Sequence, residues 1–135
     1  MTTKTSYTFG TRLAGRIADV RPSVEAALKA EGFGVLTEID VAATMKAKLG
    51  VDQAPYVILS ACNPSLAHRA IDADPSVGVL LPCNVVLRED GPETVVEVMD
   101  PMTVIAIADA PGIRSVAEEA KARLERAVAA LGTIA

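Results

Sequence analysis

Few side chains in this sequence can do chemistry, and most of those that can fall in one stretch. Between Pro55 and Glu89 (PYVILSACNPSLAHRAIDADPSVGVLLPCNVVLRE) lie both cysteines, Cys62 and Cys83, and the only histidine, His68. A thiol can exchange disulfides, ligate a metal or attack an electrophile, in each case as the thiolate. Cys62 stands directly before Asn63-Pro64, a strong helix start with Asn as cap and Pro at the first position. Amide donors and the positive dipole end of a helix N-terminus favour a thiolate there. Cys83 sits between Leu81 and Val85, and apolar surroundings raise a thiol pKa. Cys62 is therefore the more reactive candidate. The plainer reading of both is that free cysteine serves as a small buried hydrophobe.

The other candidates also have a plain reading and a functional one. Asn63 is explained as a helix cap. Asn84 is an amide in the middle of an apolar strand; it either ties down an irregularity at Pro82 or orients a ligand, since a buried amide needs partners. His68 lies four residues before Asp72, giving either a solvated surface pair or a base oriented by a carboxylate. Glu38 and Asp40 form a carboxylate pair at the exit of a strand, where Asp40 is better explained as a cap and Glu38 as a surface residue. The spacing of the cysteines fits no zinc motif, so no metal ligands are assigned.

Composition narrows the classes of function. A chain of 135 residues makes one domain, expected to span 1–135, with room for a true core. Half the residues are hydrophobic but only 3% are aromatic, so the core must be built from Val, Leu, Ile and Ala. The net charge is -4, the pI is about 5.0, and Lys and Arg form no cluster. Nucleic acid is therefore not an expected partner, because phosphate binding needs concentrated basic side chains. No run approaches the ~18 apolar residues of a membrane span, and the first ten residues lack the apolar core of a signal peptide. The expected location is the cytoplasm, with both cysteines as reduced thiols.

The elements that would position the candidates can be read in order. Lys4 to Phe9 is predicted as a strand ended by Gly10. A helical stripe runs from Leu13 to Ala30 but contains Pro22, so the main helix is placed at Pro22 to Glu31, capped by Gly32. Phe33 to Ile39 alternates as a strand. Asp40 caps a helix from Val41 to Leu49, with Met45 and Leu49 on its buried side and Gly50 as its stop. Tyr56 to Ala61 is a continuous apolar run, expected of a strand covered on both faces or at a dimer interface. The helix after Asn63-Pro64 buries Leu66, Ala67, Ala70 and Ile71, and Asp74-Pro75 ends it. Val77 to Glu89 is predicted as one long strand, bent or bulged at Pro82. Asp90-Gly91 is a hairpin turn leading back along Thr94 to Met99. A short helix over MTVIAIAD follows. The last helix, Ile113 to Leu131, carries the clearest stripe: Val116, Ala120, Leu124, Ala127, Val128 and Leu131.

This order implies an α+β fold, a single mostly antiparallel sheet of about five strands with helices packed on it. A doubly wound parallel fold is disfavoured by the Asp-Gly hairpin and by the lack of a glycine-rich phosphate loop.

Three blocks in order, GFGVLTEIDVAATMKAKLGV (Gly32 to Val51), YVILSACNP (Tyr56 to Pro64) and LLPCNVVLRE (Leu80 to Glu89), resemble the DUF302 family of small bacterial and archaeal proteins. The likeness extends through VMDPM and the terminal amphipathic helix. It departs at Pro22, where members usually continue a helix, and at Ser60, where glycine is common. The resemblance implies a compact α/β domain that commonly forms a homodimer, and no established reaction. Two classes of function follow. One is a homodimeric binding or interaction module with a small-molecule cleft between the end of the Tyr56 to Ala61 strand and the bulge of the Val77 to Glu89 strand. The other is a thiol-dependent enzyme, or a metal or haem carrier, using Cys62 and Cys83, with His68 as an optional third group. No particular cofactor follows from either. The first requires nothing that the sequence lacks.

Overall fold

The computed structural model describes residues 2–81 and 83–132. One six-stranded sheet organises them, in the order β1-β2-β6-β5-β4-β3 with every neighbouring pair antiparallel. The strands are β1 (Thr2–Lys4), β2 (Thr8–Ala14), β3 (Gly34–Asp40), β4 (Tyr56–Cys62), β5 (Cys83–Asp90) and β6 (Glu93–Met99). The helices are α1 (Ile17–Ala30), α2 (Val41–Leu49), α3 (Pro64–Ala73), α4 (Met102–Ile107) and α5 (Ile113–Gly132). The α+β class and the single antiparallel sheet are as read from the sequence, with one strand more than expected.

Strand register explains where the core sits. Phe9, Val98, Val85 and Leu59 are successive cross-strand partners, as are Thr11, Val96, Leu87 and Val57. Directly paired residues share a face, and this face carries the buried side chains of α1, α3, α4 and α5 in one cluster. The expected stripe of α5 is buried throughout, with Leu124 wholly inaccessible. Helix α5 packs against α1, α3, α4 and β2, which makes it the central prop of the helical layer. The apolar run of β4 is therefore not covered by helices on both faces. Val57, Leu59 and Ala61 face the helices, and Ile58 points to the other side and is half-buried.

Several element boundaries differ from the sequence reading, each for a local reason. The first predicted strand is a hairpin. Thr5 closes the turn between β1 and β2, accepting the amide of Thr8 on its hydroxyl (3.0 Å) and donating its own amide to the Thr8 carbonyl (2.9 Å). Gly10 does not end a strand. It lies inside β2, paired with Glu97, and glycine is required there because a Cβ would fall on the carbonyl oxygen of Val96.

Helix α1 begins at Ile17 rather than Pro22. The Arg16 amide donates to the Asp19 carboxylate (3.0 Å) and the Ile17 amide to Glu89 (3.0 Å), so two first-turn donors already have acceptors. Pro22 sits mid-helix on the exposed side. The helix ends in a Schellman motif: Phe33 donates to the Leu28 carbonyl and Gly32, at φ +86, to that of Lys29.

Helix α2 buries none of its residues, so Met45 and Leu49 do not form a core face; it contacts mainly β3 and β4. Ile71 of α3 is likewise exposed. The predicted long strand is divided. Asp74 accepts the Ser76 amide (3.1 Å) and Pro75 opens a 3-10 turn over Pro75–Leu80, so strand geometry starts only at Cys83. The expected bend at Pro82 lies outside the described residues.

Candidate functional site

An apolar cavity of about 60 Å³ opens where β4 ends and β5 begins. Ala61 and Cys62 of β4, Cys83 of β5, α3, the 3-10 turn, α4 and α5 all contribute to its wall. Five of the lining residues are alanines: Ala61, Ala67, Ala70, Ala117 and Ala120. Ala67 and Ala70 on α3, like Ala117 and Ala120 on α5, are three residues apart and so lie on one helix face. Small side chains on two facing helices leave space between them that a chain so poor in aromatics does not refill. Cys62, Leu80, Leu81 and Val104 are only half-buried and bring the cavity to the surface.

The two thiols are set by register. Cys83 is the cross-strand partner of Ala61, and Cys62 is the next residue along β4, paired with Gly34. Both cysteines are free, half-buried and part of the cavity wall. Burial pushes the Cys83 thiol up from 9.0 to about 11, and the charge of a Cys62 thiolate pushes in the same direction.

Asn63 lines the cavity too, but both ends of its amide are engaged. Its Oδ1 accepts the Leu66 amide (3.2 Å) and caps α3, and its Nδ2 donates to the Glu31 carbonyl (3.5 Å). A Cβ on Gly32 would come within 2.8 Å of that Nδ2, so the turn after α1 must be glycine on two counts, φ and space. The Glu31 carbonyl also accepts Arg123 Nη1 of α5 (3.3 Å), and the Glu31 carboxylate pairs with Arg126 (2.9 Å). Arg69 of α3 and Arg123 both bond Glu119. These ties hold α1, α3 and α5 together around the cavity.

The remaining sequence candidates lie elsewhere. His68 and Asp72 form an exposed pair (3.4 Å) on the outside of α3 and do not line the cavity. Asn84 is exposed rather than buried; its Oδ1 accepts the Ser60 hydroxyl (3.3 Å), so the expected cost of a buried amide does not arise. Glu38 binds Arg21 (2.6 Å), and Asp40 caps α2 by accepting the Ala43 amide (2.9 Å). Of the five candidates, then, the fold brings together Cys62, Asn63 and Cys83, and separates His68 and Asn84 from them. No group of three or more His, Cys, Asp or Glu that could hold a metal ion exists among the described residues. No helix there is long and apolar enough to cross a membrane. Sequence reasoning did not find the helical side of the cavity, Val104, Ile113 and the two alanine pairs. The pairs were visible in the sequence as small residues at helical spacing, but they read equally well as ordinary packing.

Comparison with known proteins places this architecture. The family model described as "Domain of unknown function DUF302" matches residues 9–131. A crystal structure described as an uncharacterized conserved protein DUF302 from Bacillus stearothermophilus superposes with a TM-score of 0.85 at 26% sequence identity, covering 94% of this chain and 99% of the other. No curated protein matches the chain.

Proposed function

For a chain that belongs to the DUF302 family, described as of unknown function, the role has to be argued from its own site, and we propose that it is a small-ligand binding module. The observation that carries this is the alanine-lined cavity at the β4–β5 junction. Its wall is apolar apart from two thiols and an amide already engaged at both ends. Such a site holds a few heavy atoms of an apolar molecule, or the end of a longer chain, through shape and dispersion. It offers no general base: the only histidine points away from the cavity, and Cys83 is held protonated at neutral pH. In this reading the module works in the cytoplasm as a homodimer that uses the open face of its sheet. The competing reading, thiol chemistry at Cys62 and Cys83 or metal or haem carriage, is favoured by one observation, that both cysteines are among the residues lining the same cavity.

The test is an NMR titration with 1-hexanol. Saturable shifts confined to Ala61, Ala70, Ala117 and their neighbours are expected, together with their loss in Ala117→Leu, which fills the space. Shifts that grow without saturating, or that persist unchanged in Ala117→Leu, refute the binding reading.

A further inference from the structure

We propose that the cavity takes the end of one long unbranched alkyl chain with an uncharged head, and that an apolar collar of Ile71, Val79 and Ile107 carries the part of the chain that leaves it. This rests on the binding reading and deepens it by naming the class of ligand.

The collar follows from exposure and spacing. Val79 (86%) and Ile107 (73%) are the most exposed large hydrophobic side chains among the described residues, and Ile71 is exposed as well. None of the three belongs to the core, so packing within the chain does not explain why they are apolar. All three stand on elements of the cavity wall. Ile71 comes one turn after Ala67 on α3, and Ile107 one turn after Val104 on α4. Ala67 and Val104 both line the cavity, and residues at such spacing share a helix face. Val79 lies in the 3-10 turn between Val77 and Leu80, which also line it. The three elements are neighbours. The 3-10 turn follows α3 directly, and a Cβ on Gly112, in the link from α4 to α5, would come within 3.1 Å of the Ala73 Cβ at the end of α3. The collar thus adjoins the half-buried Leu80, Leu81 and Val104 that open the cavity to the surface. An exposed apolar patch continuous with an apolar cavity is the form of a ligand groove.

Wall and collar together select the chemistry of the occupant. The cavity is only about 60 Å³, so it takes the end of one chain, and the Asn63 amide in its wall is already bonded at both ends. The collar stands on helical turns, which present no strand edge to a peptide. A peptide laid there would bring backbone N–H and C=O groups against isoleucine and valine with no partner in return. An alkyl chain has no such groups, and each methylene laid on the collar leaves water. The charged side chains around the collar decide the head. His68 pairs with Asp72 (3.4 Å), Arg69 with Glu119 (2.9 Å) and Arg114 with Asp109 (3.6 Å), while Asp74 caps the 3-10 turn. Each cation there already has a carboxylate, and Asp74 adds a further negative charge. A carboxylate or phosphate head would therefore meet repulsion rather than a partner. An uncharged head remains, held in water beyond the collar.

The test is a set of NMR titrations of the whole protein with 1-hexanol, 1-octanol and octanoate. Affinity is expected to rise from hexanol to octanol by about two- to fourfold per methylene, with new shifts at Val79 and Ile107 that hexanol does not produce. Octanoate is expected to bind more weakly than octanol. Val79→Ser and Ile107→Ser are each expected to lose the advantage of octanol while binding hexanol as wild type does. Both positions are exposed, so melting temperatures near wild type confirm that the variants are folded. If hexanol itself does not saturate, the binding reading fails and the alkyl-chain assignment with it. If hexanol saturates but octanol binds no tighter, if both serine variants keep the advantage, or if octanoate matches octanol, only the alkyl-chain assignment is overturned. Tighter binding of N-acetyl-leucinamide than of octanol would overturn it in favour of a partner protein's side chain. Halving of the mass in light scattering by either serine variant would overturn it in favour of a second copy.

Discussion

At the scale of single residues, position within the fold decides which side chains can act. Cys62 and Cys83 are chemically identical, yet one ends a strand before a helix and the other is pressed into apolar surroundings. Native protein treated with iodoacetamide at pH 7 is therefore expected to label Cys62 first in a mass-resolved time course. Labelling of Cys83 should rise about tenfold per pH unit as its thiolate fraction grows. Equal slow labelling of both, seen only in denaturant, would mean two inert core thiols. The same shift makes a prediction about stability. The Cys83 pKa is raised on folding, from 9.0 to about 11, so the protonated thiol is the favoured folded form. Its contribution is fully present below pH 9 and is lost as pH rises through 11, by on the order of 2–3 kcal/mol. Urea midpoints of wild type and Cys83→Ala should run parallel from pH 6 to 8.5 and converge above that. Parallel curves up to pH 11 would show that the thiol is not desolvated. The candidates that the fold separates, His68 and Asn84, look interesting in sequence because they are rare or out of place. Neither rarity nor an odd neighbour says which way a side chain points.

At the scale of elements, what was legible depended on whether the signal was local. Caps and stripes were local. Asp40, Asn63 and the α5 stripe could be placed because each is fixed by residues within two turns. The start of α1 was not, because one of its first donors is satisfied by Glu89, far along the chain. Gly10 reads as a terminator until β6 is laid beside it and brings the Val96 carbonyl to where a Cβ would be. The cavity was legible only on its strand side, since its other wall comes from pairing α3 with α5. Two substitutions test this account in opposite directions. Pro22 leaves the Ala18 carbonyl without its helical donor and is exposed, so Pro22→Ala is expected to raise stability by about 1–3 kcal/mol in urea unfolding. An unchanged or lower midpoint would mean that the proline's restriction of the unfolded chain offsets the missing helical bond. Leu124 is fully buried at the centre of α5, so Leu124→Ala is expected to cost about 2–5 kcal/mol and Leu124→Asp to abolish cooperative unfolding. A melting temperature close to wild type for the aspartate would contradict the packing described.

At the scale of the whole molecule, helices α1, α3, α4 and α5 cover one face of the sheet, while α2, which contacts β3 and β4, buries none of its own residues. Across the opposite face, Ile39, Ile58 and Val86 are successive partners on β3, β4 and β5, forming an apolar row three strands wide. Beside it Val95 is completely buried, paired in register with Arg12 on one strand and Arg88 on the other, and the aliphatic stems of such side chains can cover it. The Arg heads are engaged with Asp90 and Glu97, so this part of the face is closed by the chain itself. The Ile39–Ile58–Val86 row is only partly covered: Ile39 is exposed, and Ile58 and Val86 are half-buried. The proposed homodimer would bury this row against its own copy about a two-fold axis, the commonest way to cover a patch of this kind. Light scattering at micromolar concentration should then return twice the chain mass. Ile58→Lys and Val86→Lys should each give a monomer with a melting temperature near wild type, because neither side chain belongs to the helix-covered core. A monomeric wild type would remove the dimer altogether. A dimer that survives both lysines would keep the assembly but move its interface away from this face.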